Sequence, residues 1–572
     1  MILTALVKRY EQQLNEGKVV ARVWSMADIS FGLRLYENGK VADFIDFRTK
    51  VERDKKVVFV PKKIAVPEQE RRSGKNFSSS FLCENAKYFL GIGGSTEHFQ
   101  AAKKLHLEIL KDCDSLASRA VKNFFESWNP SEIETHPKLK EYLKELQKGA
   151  RIVLMFEENF VAEDEEIKTA WRNYKQNQEE SSSMQCSITG KFSPIAKIHP
   201  LIKGVRNANS SGGSIVSFND SAFESYGHDG ERSLNAPVSE DATFAYTTTL
   251  NDLLADSNHK KFFGDMTVVY WAEENSDECQ DFFEEFLSPN EEEISNENLS
   301  NIMEGIEKKN IKFKGTKLNY ENPFYILGLS PNNARISVRL FLQKSFGEVI
   351  SNIAKHYEDF RIIKPLTALE YIPLWRILAS TVSSKSNDKS ASPLMSGAVV
   401  KAIMTGQNYP VSLLQNVILR IRTEHNVTYE RAAIIKAYLT RNKRRKNLMS
   451  LDENSTDKNY VYGRIFYVLE TIQEAANPGL NATIKDKYFT SACSTPGSVF
   501  PNLLKLSSHH LRKLETARKI YFEKQLTDLM SKFSPSTKNS SILTLEEQGI
   551  FILGYYHQKQ ERYKKKESKE NG

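Results

Sequence analysis

The stretch Asn322-Pro-Phe-Tyr-Ile-Leu-Gly-Leu-Ser-Pro-Asn-Asn-Ala-Arg-Ile-Ser-Val-Arg-Leu-Phe341 reads as strand, turn, strand, with Ser330-Pro331-Asn332-Asn333 as the turn. Its second half alternates strictly. Ile336, Val338 and Leu340 fall on one face of an extended chain, and Arg335, Ser337 and Arg339 on the other. A sheet that buries the first set presents the second as a two-arginine stripe, which either holds phosphate or closes internal salt bridges. The same signals recur upstream. Phe31 to Phe47 places Phe31, Leu33 and Leu35 before Asn38-Gly39 and Val41, Phe44 and Ile45 after it, and Asn-Gly supplies the positive φ angles of a tight hairpin turn. Val57 to Val60, Tyr88 to Ile92 and Met266 to Trp271 are further strand candidates. Between Glu273 and Glu297 stand eleven acidic residues and no Lys or Arg, a composition expected of a solvated helix and linker that repels phosphate.

Downstream, from about residue 380, the period changes. Ser380 to Ser392 is rich in Ser, Lys, Asn and Asp and reads as a loop. Helical spacings follow: Leu414, Val417, Ile418 and Ile421; Ala432, Ile435, Tyr438 and Leu439; Ile465, Leu469 and Ile472. Leu514, Phe522, Leu526, Leu529 and Phe533 mark a long helix. Thr544 with Glu547 forms a capping box that opens the last helix, whose inner face includes Ile552 and Tyr556. The expected fold is therefore an α+β N-terminal region over residues 1–380, in one or two domains, a linker at 381–392, and an all-α C-terminal helical bundle over 393–572.

The composition agrees with a large folded chain: 572 residues, 40% apolar, 10% aromatic and 26% charged. No apolar run approaches the 18 residues of a membrane span. Met1 to Tyr10 lacks the basic and extended apolar regions of a signal peptide. Five cysteines, Cys83, Cys113, Cys186, Cys279 and Cys493, include no C-x-x-C, which argues against a disulfide framework or a zinc cage and for a reducing cytoplasm. The net charge of +7 is unevenly spread. Residues 401–572 carry 28 Lys and Arg against 16 Asp and Glu, so the rear is at +12 and the front at −5. A basic rear suits either solubility or a nucleic-acid partner.

Residues that would carry catalysis are not assembled by the sequence. His228-Asp229 lies between Gly227 and Gly230 without a second histidine cluster and reads as a turn; His509-His510 lies in a helix, where neighbours point about 100° apart and do not chelate one ion. Leu90-Gly-Ile-Gly-Gly94 completes no phosphate-binding glycine motif, and no G-x-S-x-G elbow occurs. No metal, cofactor or catalytic residue is expected.

Residues that would hold nucleic acid are easier to name. Arg71-Arg72-Ser73-Gly74-Lys75-Asn76 gathers three cations, a hydroxyl and an amide on a flexible loop; Arg71, Arg72, Lys75 and Asn76 suit base edges or phosphate, and a solvated loop is the competing reading. Arg431, Lys436, Arg441, Lys443, Arg444, Arg445 and Lys446 give a helix with a basic exit, which either complements the helix dipole in solvent or tracks phosphates.

Seven further blocks stand out: Cys83-Glu-Asn-Ala-Lys-Tyr-Phe-Leu-Gly91, Gly213-Ser-Ile-Val-Ser-Phe-Asn-Asp-Ser-Ala-Phe-Glu-Ser-Tyr-Gly227, Asn235-Ala-Pro-Val-Ser239, Thr247-Thr-Thr-Leu-Asn-Asp-Leu-Leu254, Leu327 to Arg339, Tyr462-Gly-Arg-Ile-Phe466 and Gly549 to Gln558. These blocks resemble the large subunit of type I-C CRISPR Cascade complexes. They run in order along nearly the whole chain, each weak alone and specific together. The resemblance implies a noncatalytic subunit of an RNA-guided surveillance complex that reads the protospacer-adjacent motif in double-stranded DNA, aids duplex opening, supports the displaced strand and helps recruit a helicase-nuclease. It implies as partners CRISPR RNA, target DNA, and the backbone, 5′-handle and small subunits. Asn219, Asn235, Asn332 and Asn333 lie in the blocks and chiefly suit turns. The resemblance also implies that residues 449–572 can be made separately as a small subunit by internal translation. Met449 is the candidate start, and purine-rich codons for Arg444-Arg445-Lys446 would lie just upstream. Two rivals remain: a metal-dependent nuclease built from scattered carboxylates, and a stand-alone DNA-binding regulator, for which no helix-turn-helix pattern stands out.

Overall fold

The computed structural model describes residues 1–53, 56–70, 77–133, 135–178, 183–218, 232–274, 277–287, 296–387, 391–533 and 542–570. The chain packs as two compact units, residues 1–200 with 216–250, and residues 201–215 with 251–572.

In the first unit α1 (Ile2–Asn15) leads into β1 (Trp24–Ile29), β2 (Phe31–Leu35), β3 (Val41–Asp46), β4 (Thr49–Arg53), β5 (Lys56–Val60), β6 (Lys62–Pro67) and β7 (Cys83–Asn85). After α2 (Ala86–Phe89), α3 (Thr96–Ile109), α4 (Leu116–Ser127) and α5 (Leu143–Gln147) come β8 (Arg151–Phe156), β9 (Asn159–Phe160), α6 (Glu165–Gln178), the small hairpin of β10 (Ser183–Gln185) and β11 (Phe192–Pro194), and α7 (Glu240–Ala255), in which the boundary between units falls. The central sheet runs β3-β2-β8-β7 with β9 on β8, and β2 is parallel to β8. Phe31, Leu33, Ile152 and Leu154 bury one face of that sheet against Phe81, Phe124 and Trp171.

The Asn38-Gly39 hairpin forms as its residues dictate. Gly39 takes φ +79, the Tyr36 N–H donates to Lys40 O at 2.9 Å, and the Asn38 side chain accepts from the Lys40 N–H at 3.1 Å. A Cβ at Gly39 would stand 2.4 Å from the backbone of Asn123 and Phe124 in α4, so approach as well as conformation demands glycine. The strand expected at Tyr88 to Ile92 is not one. Pairing with β8 belongs to Cys83–Asn85, after which the Asn85 side chain accepts the Lys87 N–H at 3.1 Å and caps α2. Tyr88, Phe89 and Leu90 are all buried, and a short apolar run surrounded by core has no period to separate strand from helix.

In the second unit β12 (Lys260–Phe263), β13 (Met266–Ala272), β16 (Pro323–Asn332) and β17 (Arg335–Ser345) form an antiparallel sheet in the order β12-β13-β16-β17. Between β13 and β16 lie α8 (Asp277–Leu287), α9 (Asn296–Glu307) and the minor pair β14 (Lys312–Phe313) and β15 (Thr316–Lys317). The acidic α8 is amphipathic: Cys279, Phe282, Phe283 and Phe286 face the core. Then come α10 (Phe346–Phe360), α11 (Leu374–Ala379), α12 (Pro393–Thr405), α13 (Val411–Glu424), α14 (Tyr429–Lys443), α15 (Lys458–Ala476), α16 (Ile484–Ser494), α17 (Pro496–Leu511), α18 (Thr516–Met530) and α19 (Leu545–Glu570). The expected α+β region followed by helices is present. The irregular residues 381–387 lie inside this unit, and the sheet before them and the helices after them share one hydrophobic core. Among the described residues no helix is long and apolar enough to cross a membrane.

The β16–β17 hairpin turns later than Ser330-Pro331-Asn332-Asn333. Asn332 pairs with Arg335, so the turn is Asn333-Ala334, with Asn333 at φ +55, and Pro331 sits within the ladder opposite Ile336. The register then slips: Leu329 faces Val338 while Gly328 faces Leu340, leaving Arg339 as a bulged extra residue. The alternation predicted for β17 breaks there. Ile336 and Leu340 are buried, whereas Val338 is 38% exposed.

Helix α19 begins at the expected capping box, with the Thr544 N–H donating to Glu547 Oε2 at 2.8 Å and the Glu547 N–H to Thr544 Oγ1 at 3.3 Å. It crosses α15 with almost no space between backbones. A Cβ on Gly463 would meet Phe551 O at 1.9 Å, and one on Gly554 would meet Tyr460 O at 2.1 Å.

Candidate nucleic-acid interface

The basic helix α14 divides its cations by depth. Arg431, Lys436 and Arg441 point inward, because α14 is buried nearly all round by Ala432, Ala433, Ile434, Ile435, Ala437 and Leu439. The Arg431 guanidinium pairs with Glu424 at 2.5 Å, and Lys436 donates to Glu358 O at 3.0 Å, with burial lowering its pKa. Arg441 pairs with Asp359 at 2.6 Å, both side chains under 10% exposed, lies 4.2 Å from the Tyr409 ring centroid and donates to Ala402 O at 3.2 Å. These are internal bonds. Arg441, expected among phosphate contacts, is thus committed to the core.

The exit itself is exposed. Arg444 caps α14 in the left-handed conformation at φ 54, which ends the helix and turns the following residues outward. Lys443 reaches Glu546 at 3.1 Å and Arg445 reaches Asp457 at 3.6 Å, while Arg444 and Lys446 make no ion pair among the described residues. Lys532, just past α18, donates to Glu453 O in the same connecting segment that holds Asp457. The exit of α14 and the end of α18 therefore bring cations to one short segment, residues 450–457. Such a surface can neutralise a phosphate backbone without reading bases.

Of the two sheet arginines, Arg335 sits at a bridge to Ser214, where the Ile336 N–H donates to Ser214 O at 2.9 Å. Arg339, displaced by the bulge, lines a cleft of about 470 Å³ with Asp265, Met266, Pro393, Leu394 and Lys401. The cleft lies between the β12–β13 turn, the bulge of β17 and the first turns of α12. The turn is fixed against the helix: Gly264 has φ +65, and a Cβ there would stand 2.8 Å from Pro393 Cα. Leu394 projects 82% exposed.

The expected motif reader, Arg71, Arg72, Lys75 and Asn76, lies outside the described residues, as do Asn219 and the His228-Asp229 pair. Close before it in sequence stands a second cationic feature. β4 and β5 pair as a two-stranded ribbon, with Lys50 opposite Phe59. Phe59 is 45% exposed, and the Arg48 guanidinium and Lys50 ammonium lie 4.8 and 5.8 Å from its ring centroid. Lys62 and Lys63 at the start of β6 are exposed as well. The signal was legible as Lys55-Lys56 and Lys62-Lys63 flanking Val57-Val-Phe-Val60, a basic aromatic ribbon. Asn332 and Asn333 serve the turn, and His510 meets Asn477 at 3.2 Å. Among the described residues no three His, Cys, Asp or Glu side chains are grouped to hold a metal ion.

The family of the CRISPR-associated protein Cas_Csd1 matches residues 6–563. No curated protein matches the chain. A match running from α1 to the middle of α19 takes in the ribbon, the cleft and the basic exit alike, and the chain belongs to the Cas_Csd1 family of CRISPR-associated proteins.

Proposed function

We propose that this protein is the noncatalytic large subunit of a type I-C CRISPR RNA-guided surveillance complex, which recognises the protospacer-adjacent motif in double-stranded DNA, aids duplex opening, supports the displaced strand and helps recruit the helicase-nuclease. The observation that carries the reading is the family match over residues 6–563. The exposed cations at the α14 exit and along β4–β6 support it, since a subunit that guides DNA needs phosphate contacts more than a reaction centre. Its partners on this reading are CRISPR RNA, the duplex and displaced strand, and the backbone, 5′-handle and small subunits, in the cytoplasm.

Residues 449–572 further support a separately made small subunit. An aromatic cluster lies wholly within that segment: Tyr462 with Phe500 at 4.6 Å, Phe466 with Phe489 at 5.5 Å, and Phe489 with Tyr555 at 5.4 Å. A piece that holds its own core can persist when made alone.

The reading is tested by assembling the complex and measuring its affinity for cognate and motif-mutated duplexes across a salt titration. Cognate duplex is expected to bind more tightly at every salt concentration, and a complex carrying Arg71→Ala, Arg72→Ala, Lys75→Ala and Asn76→Ala to lose that preference. Equal binding of both duplexes by the unaltered complex overturns the reading. Metal-dependent cleavage by the purified chain, abolished by one Asp or Glu substitution, would establish the nuclease instead.

A further inference from the structure

We infer that the cleft between the β17 bulge and α12 is a binding site for one unstacked nucleotide, its phosphate held by Arg339 and Lys401 and its base lying on Pro393 and Leu394. The inference rests on the nucleic-acid reading above and names a ligand for a site which that reading does not require.

Four observations carry it. The cleft, at about 470 Å³, falls within the range of small-molecule sites and fits a single nucleotide. Its two cations are unspent. Neighbouring basic residues of the same unit are ion-paired, Lys344 with Glu348 at 2.7 Å and Arg361 with Glu358 at 3.1 Å, whereas the side chains of Arg339 and Lys401 form no ion pair or hydrogen bond among the described residues. The bulge is the reason for Arg339's position, because an extra residue in one strand re-aims a side chain that strict alternation would place elsewhere. Third, Leu394 and Pro393 offer an apolar ledge beside these charges, which a phosphate alone has no use for and the face of a base does.

Asp265 is the fourth. A carboxylate in a cationic cleft repels a continuous track of phosphates, yet it accepts hydrogen bonds from a ligand that brings N–H donors together with one phosphate. An unpaired guanine presents two adjacent donors on its exposed edge, while thymine presents one between two acceptors. The cleft should therefore prefer guanine. The rigid seating of Pro393 against Gly264 keeps the ledge and the carboxylate at fixed separation without ligand, so little ordering is left for binding.

Such a nucleotide can come from within a strand or free from solution, and the test distinguishes them. Binding of fluorescent pentamers TTGTT and TTTTT to the full chain is measured, with dGMP alone as competitor. TTGTT is expected to bind more tightly than TTTTT. The Arg339→Gln/Lys401→Gln double variant should lose about tenfold for both, Asp265→Asn should narrow the difference between them, and Lys308→Gln, an exposed cation of α9 paired with Glu304, should change neither by more than about twofold. Competition by dGMP assigns the cleft to the free nucleotide; its failure beside tight pentamer binding assigns it to a nucleotide within a strand. Circular dichroism reports whether each variant is folded, and Lys401→Gln alone, on an exposed helix position, provides a milder second reading. The inference falls if neither pentamers nor dGMP bind, or if folded Arg339→Gln/Lys401→Gln binds them as tightly as the unaltered chain. Long single strands separate the two failures: if they still bind, only the cleft is lost, and if they do not, the nucleic-acid reading goes with it.

Discussion

Arg441 and Arg444 stand three residues apart in one basic run and have opposite fates. Arg441 neutralises Asp359 inside the protein, so Arg441→Gln leaves a buried carboxylate unpaired and should cost about 3–5 kcal/mol in unfolding free energy. Arg444→Gln with Lys446→Gln touches no such bond. It should leave the denaturation midpoint within experimental error while lowering affinity for long single strands and reducing the slope of log affinity against log salt by about 1–2. The two measurements, chemical denaturation and a salt titration, exchange outcomes if the assignment of depth is wrong. The sequence could have separated these residues, since Ala432-Ala-Ile-Ile-Lys-Ala-Tyr-Leu439 is apolar on every side and so marks a buried helix. Charge counting alone treated the run as one surface. His106 adds a pH dependence of known sign. It is fully buried, its Nδ1–H donates to Ala102 O at 2.7 Å and its Nε2 accepts the Leu82 N–H at 2.9 Å, and burial depresses its pKa to about 4. The neutral ring is the folded form. Its contribution is complete above the ordinary value near 6.5 and is lost as pH falls from there through 4, by on the order of 3 kcal/mol. Denaturation at pH 7, 5.5 and 4 should show that loss, and the His106→Gln chain should lack its share of the slope.

At the scale of elements, the α15–α19 crossing is the contact with least tolerance. Gly554→Ala places a methyl 2.1 Å from a helix carbonyl that cannot move without its neighbours, and should cost about 3 kcal/mol or more. Gly497→Ala, where a Cβ meets nothing within 4 Å, is the matched control and should be neutral or slightly stabilising in the same melt. Elements announced by local chemistry were legible: the Asn38-Gly39 hairpin and the Thr544–Glu547 capping box both stand where their residues put them. Elements decided by partners were not. Tyr88 and Phe89 became helix because Asn85 caps that turn and core surrounds it, and the β17 bulge came from a register slip against β16 that no property of Ile336 to Leu340 announces. The cleft shares that difficulty, because Arg339 and Lys401 are brought together only by the packing of α12 on the β12–β13 turn.

For the whole molecule, Met449 sits at a joint. Its carbonyl accepts the Ile363 N–H at 2.7 Å, between the basic exit of α14 and the helices α15 to α19. Replacing the Met449 codon with one that does not initiate should abolish a separate product of residues 449–572 while leaving the full chain, as an immunoblot against the C-terminus would show; persistence of the short product removes the internal start. That segment is not loosely appended when it remains in the chain. Tyr556 donates to Ile363 O at 2.7 Å, and the same core runs from Phe263 in the sheet to Tyr556 in the last helix. Because that core is continuous, repacking among the rear helices is felt by the sheet strands β13 and β16 as well. The two edges of the nucleotide cleft, one on a strand and one on a helix, thus belong to one packed body, and core packing sets the spacing between them.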